Sequence, residues 1–252
     1  MIVRHEPTDE QLGSPLGRTS PLAKLAVGMA WLVGLVTTTE AGPPLALAAI
    51  AAAAGLTLGR IPVRTLAQGA APLLIAALSI GVFNTVFAAA NVDPAAHEVA
   101  RIGPLRLTEE ALAGGLGLAS RIVAIAVVGV VFAATTDSTR LVDALVQHAR
   151  LPERFGYGAL AAYQAVPRLA EDLTTLREAR RIRGLRGSWH PRLLVGLLVL
   201  AVRHADRLAL AMDARGFGSG PRTHYRVVRW LPADTIVVAA GVAALLAVLA
   251  LA

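Results

Sequence analysis

The chain has 252 residues, a mean hydropathy of +0.60 and 55% hydrophobic residues, which excludes an ordinary soluble domain. Cysteine is absent, which excludes a disulfide framework and any thiolate metal site. The net charge of +7 is uneven: residues 135–230 hold 16 Lys/Arg against 8 Asp/Glu, the remainder 8 against 9, and aromatic residues are only 4%, few for the stacking surface a nucleic-acid partner requires.

Met1–Gly17 is polar and contains Glu6, Asp9 and Glu10. It lacks the basic start and apolar core of a secretory signal, so residues 1–17 read as a cytoplasmic N-terminal tail. Residues 18–134 read as a four-span region. Leu22–Thr39, with Lys24 near its start and Trp31 inside it, and Pro44–Leu58 are apolar runs without a polar face, near the short limit of about 20 residues for a span. Ala70–Ala90 is the third run. Its Asn84 is expected to bond across to another helix, with a substrate contact the less favoured reading.

Leu112–Ala134 is the fourth run and carries Arg121. An arginine inside a span costs about 2.5–3.5 kcal/mol on insertion scales. Arg121 lies in the first half of its run, which favours snorkelling to the nearer interface over a functional role. Thr235–Ala252, within a C-terminal segment 231–252, is the fifth run. The connection at 37–43 carries no Lys or Arg, the next carries Arg60 and Arg64, and arginine becomes dense after Ala134. This alternation predicts an N-terminus inside the cell, four spans, a basic cytoplasmic segment and a fifth span ending outside.

Residues 135–230 read as a cytoplasmic helical region. Its apolar stretches Phe155–Val166 and Leu193–Val202 are too short to span and are expected to be buried parts of long amphipathic helices at the membrane face. One stripe holds Leu141, Leu145 and His148; a second holds Leu169, Leu173, Leu176 and Ala179 or Arg180; a third holds Ala201, Ala205, Leu208 and Met212. Pro152, Pro167 and Pro191 divide the region into about three helices.

Two of these helical segments end alike, as Ile182-Arg183-Gly184 and Ala214-Arg215-Gly216, with the arginines 32 residues apart. Glycine just past a helix can take the left-handed conformation that closes the last turn, and a cation suits the negative end of the helix dipole. Each segment is therefore expected to present an arginine at a helix tip. On spacing alone, Arg-Gly is also simply a frequent way to end a helix.

No Gly-x-x-x-x-Gly-Lys-Ser/Thr loop and no His-Glu-x-x-His occur, and the spans hold no paired carboxylates for a proton relay. The histidines at 5, 97, 148, 190, 204 and 224 are isolated, so neither an enzyme nor a metal site is expected.

With these residues in view, the chain resembles the transmembrane T component (EcfT/CbiQ family) of energy-coupling factor (ECF) transporters. Ser20-Pro-Leu-Ala-Lys24 resembles the family's opening; Arg121, Thr135-Thr136 and Leu141–Leu145 resemble its fourth span and exit; Leu151-Pro152 and Val166-Pro167-Arg-Leu-Ala-Glu171 resemble the approach to its first coupling motif. Ala205-Asp-Arg-Leu-Ala-Leu-Ala-Met-Asp-Ala-Arg-Gly216 is the strongest signal, close to the second motif. At the first motif Ile182 stands where alanine is usual, and neighbouring Ala179-Arg180-Arg181 is an alternative.

The resemblance implies an all-α polytopic membrane protein of about five transmembrane helices, with a platform of amphipathic coupling helices inserted before the last span. It implies two cytoplasmic ABC ATPase subunits as partners, each taking one arginine-centred tripeptide in a groove. A small membrane-embedded substrate-binding S component is the third partner, for vitamin or transition-metal uptake across a bacterial cytoplasmic membrane. ATP is then used by the partner subunits and no cofactor is bound by this chain. The alternative is a membrane-anchored scaffold whose basic helices bind anionic lipid or an acidic protein.

Overall fold

The computed structural model describes residues 7–93, 96–102, 105–185, 190–220, 223–224 and 226–250. His5 and Glu6 of the tail and Leu251 and Ala252 of the fifth run lie outside the described residues.

The protein is an all-α membrane protein. Its helices are α1 (Asp9–Leu12), α2 (Pro15–Arg18), α3 (Pro21–Thr37), α4 (Gly42–Thr57), α5 (Val63–Val86), α6 (Glu109–Thr135), α7 (Ser138–Gln147), α8 (Glu153–Ile182), α9 (Pro191–Ala214) and α10 (Pro232–Ala250). Val63–Val92, Glu109–Thr135 and Pro232–Ala250 are long and apolar enough to cross a membrane. The two shorter apolar helices are α3 and α4, of 17 and 16 residues. At 1.5 Å per residue these reach about 25 Å, a little under the ~30 Å hydrocarbon core.

The chain forms two compact units, Met1–Leu141 with Arg229–Ala252, and Val142–Val228. In the first unit, Trp31, Leu35, Leu47, Ala48, Ala51, Ala124, Leu245 and Val248 form the main core. Small residues set how closely these helices pack, because apolar side chains gain nothing by leaving lipid for one another. A Cβ placed on Gly115 of α6 would lie 2.7 Å from the Gly81 carbonyl oxygen of α5, so the two backbones touch there.

Polar ties close the same unit. The Lys24 ammonium of α3 donates to the Thr135 carbonyl at the end of α6, at 2.6 Å. Asp234, fully buried in the first turn of α10, accepts from the Ser20 and Leu231 backbone N–H groups at 2.5 and 2.7 Å. Trp31 Nε1 donates to the Gly241 carbonyl at 2.8 Å. The bonds at Thr135, Ser20 and Leu231 satisfy backbone groups at or beside helix ends.

The polar N-terminal stretch is folded rather than free from Thr8 onward. Thr8 and Gln11 form a capping box around α1, Ser14 Oγ accepts from Gly17 N–H at 2.9 Å, and Gln11, Ser14 and Gly17 are buried. Leu16 N–H donates to the Leu58 carbonyl, and Arg140 donates to the Gly17 and Arg18 carbonyls. The Thr8-x-x-Gln11 spacing fits a capping box, a signal that reading residues 1–17 as a polar tail leaves unused.

The stretch between α5 and α6 folds into an antiparallel hairpin, β1 (Glu98–Ile102) and β2 (Leu105–Thr108). Asn91 holds it in place: its Nδ2 donates to the Thr85 and Val86 carbonyls that end α5, and its Oδ1 accepts from Thr108 N–H and Oγ1. Thr108 is in turn the N-cap of α6.

Candidate functional site

The second unit holds the helices α8 and α9 that carry both arginine-centred tripeptides. α8 begins after Pro152 and runs 30 residues through Pro167, whose missing N–H removes one ladder bond without ending the helix. α9 starts with Pro191 at its first position, and His190 accepts from Arg192 N–H as its cap.

The stripe expected on α9 faces a groove against α8: Ala201, Ala205, Leu208 and Met212 line an opening of about 350 Å³. From the stripe expected on α8 only Leu169 lines it, beside Ala161, Ala165 and Asp172. The apolar stretches expected to be buried are largely exposed within this chain: Phe155 is 73% exposed and Leu198 64%, although Leu193 is buried. Only a covering absent from one chain, lipid or protein, would bury them. On α7 the buried residues are Asp143, Ala144 and Val146, which corrects the expected stripe of Leu141, Leu145 and His148. The difference has a cause: the Tyr157 hydroxyl of α8 donates to Asp143 Oδ1 at 3.0 Å, and Val146 packs where Gly156 leaves no side chain.

Both helices end in one and the same motif. α8 stops at Ile182 with Arg183 as its C-cap, and Gly184 follows at φ +71°. Gly184 N–H donates to the Arg181 carbonyl and Leu185 N–H to the Arg180 carbonyl, at 3.0 and 3.2 Å. α9 stops at Ala214 with Arg215 as its C-cap, and Gly216 follows at φ +69°. Gly216 N–H donates to the Asp213 carbonyl and Phe217 N–H to the Met212 carbonyl, at 2.8 and 3.0 Å. These paired bonds around a left-handed glycine are the Schellman ending.

Ile182, Arg183, Gly184, Ala214 and Arg215 are all exposed, and Ile182 is 86% exposed for a large apolar side chain. Ala179, Arg180 and Arg181 lie inside the last turns of α8 instead of at its cap. Among the described residues, then, Arg183 is the α8 residue that matches Arg215 position for position.

The surroundings of the two endings differ. Beyond Arg215, Phe217 meets the Tyr157 ring edge-on, with centroids 6.4 Å apart, and Arg154 donates to the Gly218 carbonyl at 3.2 Å. Gln147 of α7 holds the returning chain, donating to the Arg226 carbonyl and accepting from Val228 N–H. The Tyr157 hydroxyl is pushed up to about 12, first by burial and then by its bond to Asp143. No sequence signal marked Tyr157 or Asp143, since their partnership depends on how α7 and α8 pack.

The two intramembrane polar residues have structural surroundings. The Arg121 guanidinium donates to the Thr38 carbonyl, the C-cap of α3, so it satisfies a helix end in the manner expected of a structural arginine. Asn84 points at α6, its Oδ1 lying 3.7 Å from where a Cβ on Gly114 would sit. Among the described residues its side chain forms no hydrogen bond, which corrects the expected bond across helices. The bonding asparagine is Asn91, seven residues beyond, where helix-end carbonyls are open. Among the described residues no group of three or more metal-ligating side chains occurs.

A family model described as CbiQ, cobalt transport protein, matches residues 13–225. The energy-coupling factor transporter transmembrane protein EcfT of Limosilactobacillus fermentum is 27% identical over 90% of this chain and 89% of its own length. The protein of the same name from Lactococcus lactis subsp. cremoris is 24% identical over 89% of each. A Bifidobacterium longum protein named as an ABC transporter ATP-binding protein is 29% identical over 94% of this chain, which spans about a third of that relative's length (32%).

Proposed function

The chain belongs to the CbiQ family of cobalt transport proteins, and from that premise we propose that it is the transmembrane coupling component of an energy-coupling factor importer. In this reading Ile182-Arg183-Gly184 and Ala214-Arg215-Gly216 each engage one of two cytoplasmic ABC ATPase subunits. The observation that carries it is the identical ending of α8 and α9, each presenting an exposed arginine at the C-cap before a left-handed glycine. Repetition of one motif on two helices suits two like partners.

The chemistry follows from arginine. Its planar fork of donors can be held in one orientation by a carboxylate or a carbonyl-lined groove, so a closing partner would drag the helix end with it. Movement of α8 and α9 would pass, through their exposed apolar surface, to a small membrane-embedded S component that binds a vitamin or transition-metal ion. ATP is hydrolysed by the partners, and this chain supplies no P-loop lysine of its own. The N-terminus and residues 135–230 lie on the cytoplasmic side of a bacterial cytoplasmic membrane, as the arginine distribution supports.

Purification of the tagged chain from its native membrane in mild detergent, followed by mass spectrometry, tests this assembly. Two P-loop ATPases and a small hydrophobic protein are expected to remain bound. Recovery of lipid alone, or of a single acidic soluble protein, would replace coupling with the scaffold reading.

A further inference from the structure

The two arginine tips share one backbone motif, and the described chain behind the second is held at several points. Past Arg183, the described chain reaches Leu185, and no side-chain hydrogen bond or ring contact among the described residues touches 183–185. A Cβ built on Gly184 would meet nothing within 4 Å. Past Arg215, the chain is held at three successive points. Ser219 Oγ donates back to the Gly216 carbonyl at 2.7 Å, the Phe217 ring meets Tyr157, and the Gly218 carbonyl accepts from Arg154. A Cβ on Gly218 would come within 2.6 Å of Arg154 Nε, and that glycine is at φ +79°. Glycine is the residue that allows this approach.

The support continues behind Tyr157. Its hydroxyl is anchored on Asp143, which is 7% exposed and lies on α7. One turn along the same face of α7, Gln147 grips the chain that returns from the second tip at Arg226 and Val228. The loop carrying the second tip is therefore clasped from both sides, by α8 through Tyr157 and Arg154 and by α7 through Gln147.

We infer that Tyr157 and Asp143 are positioning residues that fix the aim of the second arginine tip, so that this tip transmits force as a braced lever. This rests on the coupling reading for its meaning, but the brace itself is a property of this chain. An edge-on aromatic pair and an anchored phenol restrict rotation of the loop. A braced end passes displacement on instead of absorbing it by bending its last turn.

Because the chain has no cysteine, single labels can be placed without removing any native residue of that type. Gly220→Cys beyond the second tip and Leu185→Cys beyond the first each put a nitroxide spin label at an exposed position of the full-length chain in nanodiscs. Tyr157→Phe, which removes only the hydroxyl, is expected to raise the mobile fraction at 220 by about tenfold or more, the weight of one hydrogen bond to a charged group, and to leave the label at 185 unchanged. Asp143→Asn keeps an acceptor oxygen without its charge and should fall between wild type and Tyr157→Phe, whereas Asp143→Leu should match Tyr157→Phe.

An unchanged label at 220 in Tyr157→Phe would overturn the brace. So would Asp143→Asn behaving as Asp143→Leu. Helix content by circular dichroism separates a loosened loop from an unfolded unit. In the purified transporter, Tyr157→Phe is further expected to raise the ATP hydrolysed per substrate imported. If Arg215→Ala uncouples and Tyr157→Phe changes neither label nor ratio, the brace fails alone. If the labels respond and Arg215→Ala has no effect on coupling, the coupling reading fails and the brace stands.

Discussion

Arg183 and Arg215, on different helices, occupy the same place in the same motif: each is a C-cap followed by a glycine at φ +71° or +69°, with matching pairs of backbone bonds behind it. Neither glycine tolerates a Cβ without strain, since left-handed backbone is unfavourable for other L-residues by about 1–2 kcal/mol. Gly216→Val is therefore expected to unwind the last turn of α9 and loosen ATPase binding several-fold, with Gly216→Asn much milder. Retention of ATPase subunits on the tagged variants checks this. Equal retention for Val and wild type would show that the ending is incidental.

The buried ties of the first unit make a separate forecast. Asp234→Ala leaves two backbone N–H groups, of Ser20 and Leu231, without their acceptor. Hydrogen bonds to a charged group contribute about 1.5–3 kcal/mol each, so the loss should be about 3 kcal/mol and should lower the unfolding temperature in detergent by several degrees. Asp234→Asn keeps an acceptor oxygen and should lose about half as much.

Asn91→Ala removes the acceptor of Thr108 and the donors to two α5 carbonyls at once. The hairpin Glu98–Thr108 is expected to become the first site of protease cleavage, while the helices on either side stay intact. Limited proteolysis with mass mapping reads this directly. An unchanged cleavage pattern would show that the hairpin is held by its own strands.

Tyr157 predicts a pH profile. Its hydroxyl is raised from 10.0 to about 12, so the neutral donor form is the one favoured by the fold. The stabilisation is fully present below pH 10 and is lost as pH rises through the folded value near 12. Across pH 6 to 9 no dependence should arise from this group. In a spectrophotometric titration a tyrosine step near pH 12 is expected, and Tyr157→Phe should remove it.

How much of this was legible in the sequence differs by element. Each apolar run falls on a helix, three of them long enough to cross a membrane, because absence of a polar face is a local property; α5 nonetheless starts at Val63, seven residues before the run at Ala70, since a helix continues past its apolar part. The Schellman endings were legible too, because Arg-Gly at a periodic segment's end names both the cap and the left-handed residue. The polar ties were not. Lys24 with Thr135, Asp234 with Ser20 and Tyr157 with Asp143 join residues that only packing brings together. Asn84 misled for the reverse reason: an asparagine in a span asks for a partner, but the open carbonyls stood at the helix end, beside Asn91.

The reading that competes with coupling is a basic scaffold, for which point charge is enough. Arg215→Lys keeps the charge and loses the fork, so it should be tolerated by a scaffold and poorly tolerated by a coupling tip. Retention of ATPase subunits by Arg215→Lys, compared with Arg215→Ala, is expected to fall nearly as far in the first as in the second.

The most direct measurement is the number of substrate molecules imported per ATP hydrolysed by proteoliposomes holding the co-purified complex, wild type against Arg215→Ala. The account predicts a folded variant in which that ratio collapses by at least about tenfold, the scale of a buried arginine hot spot. A wild-type ratio with ATPase subunits fully retained would contradict it.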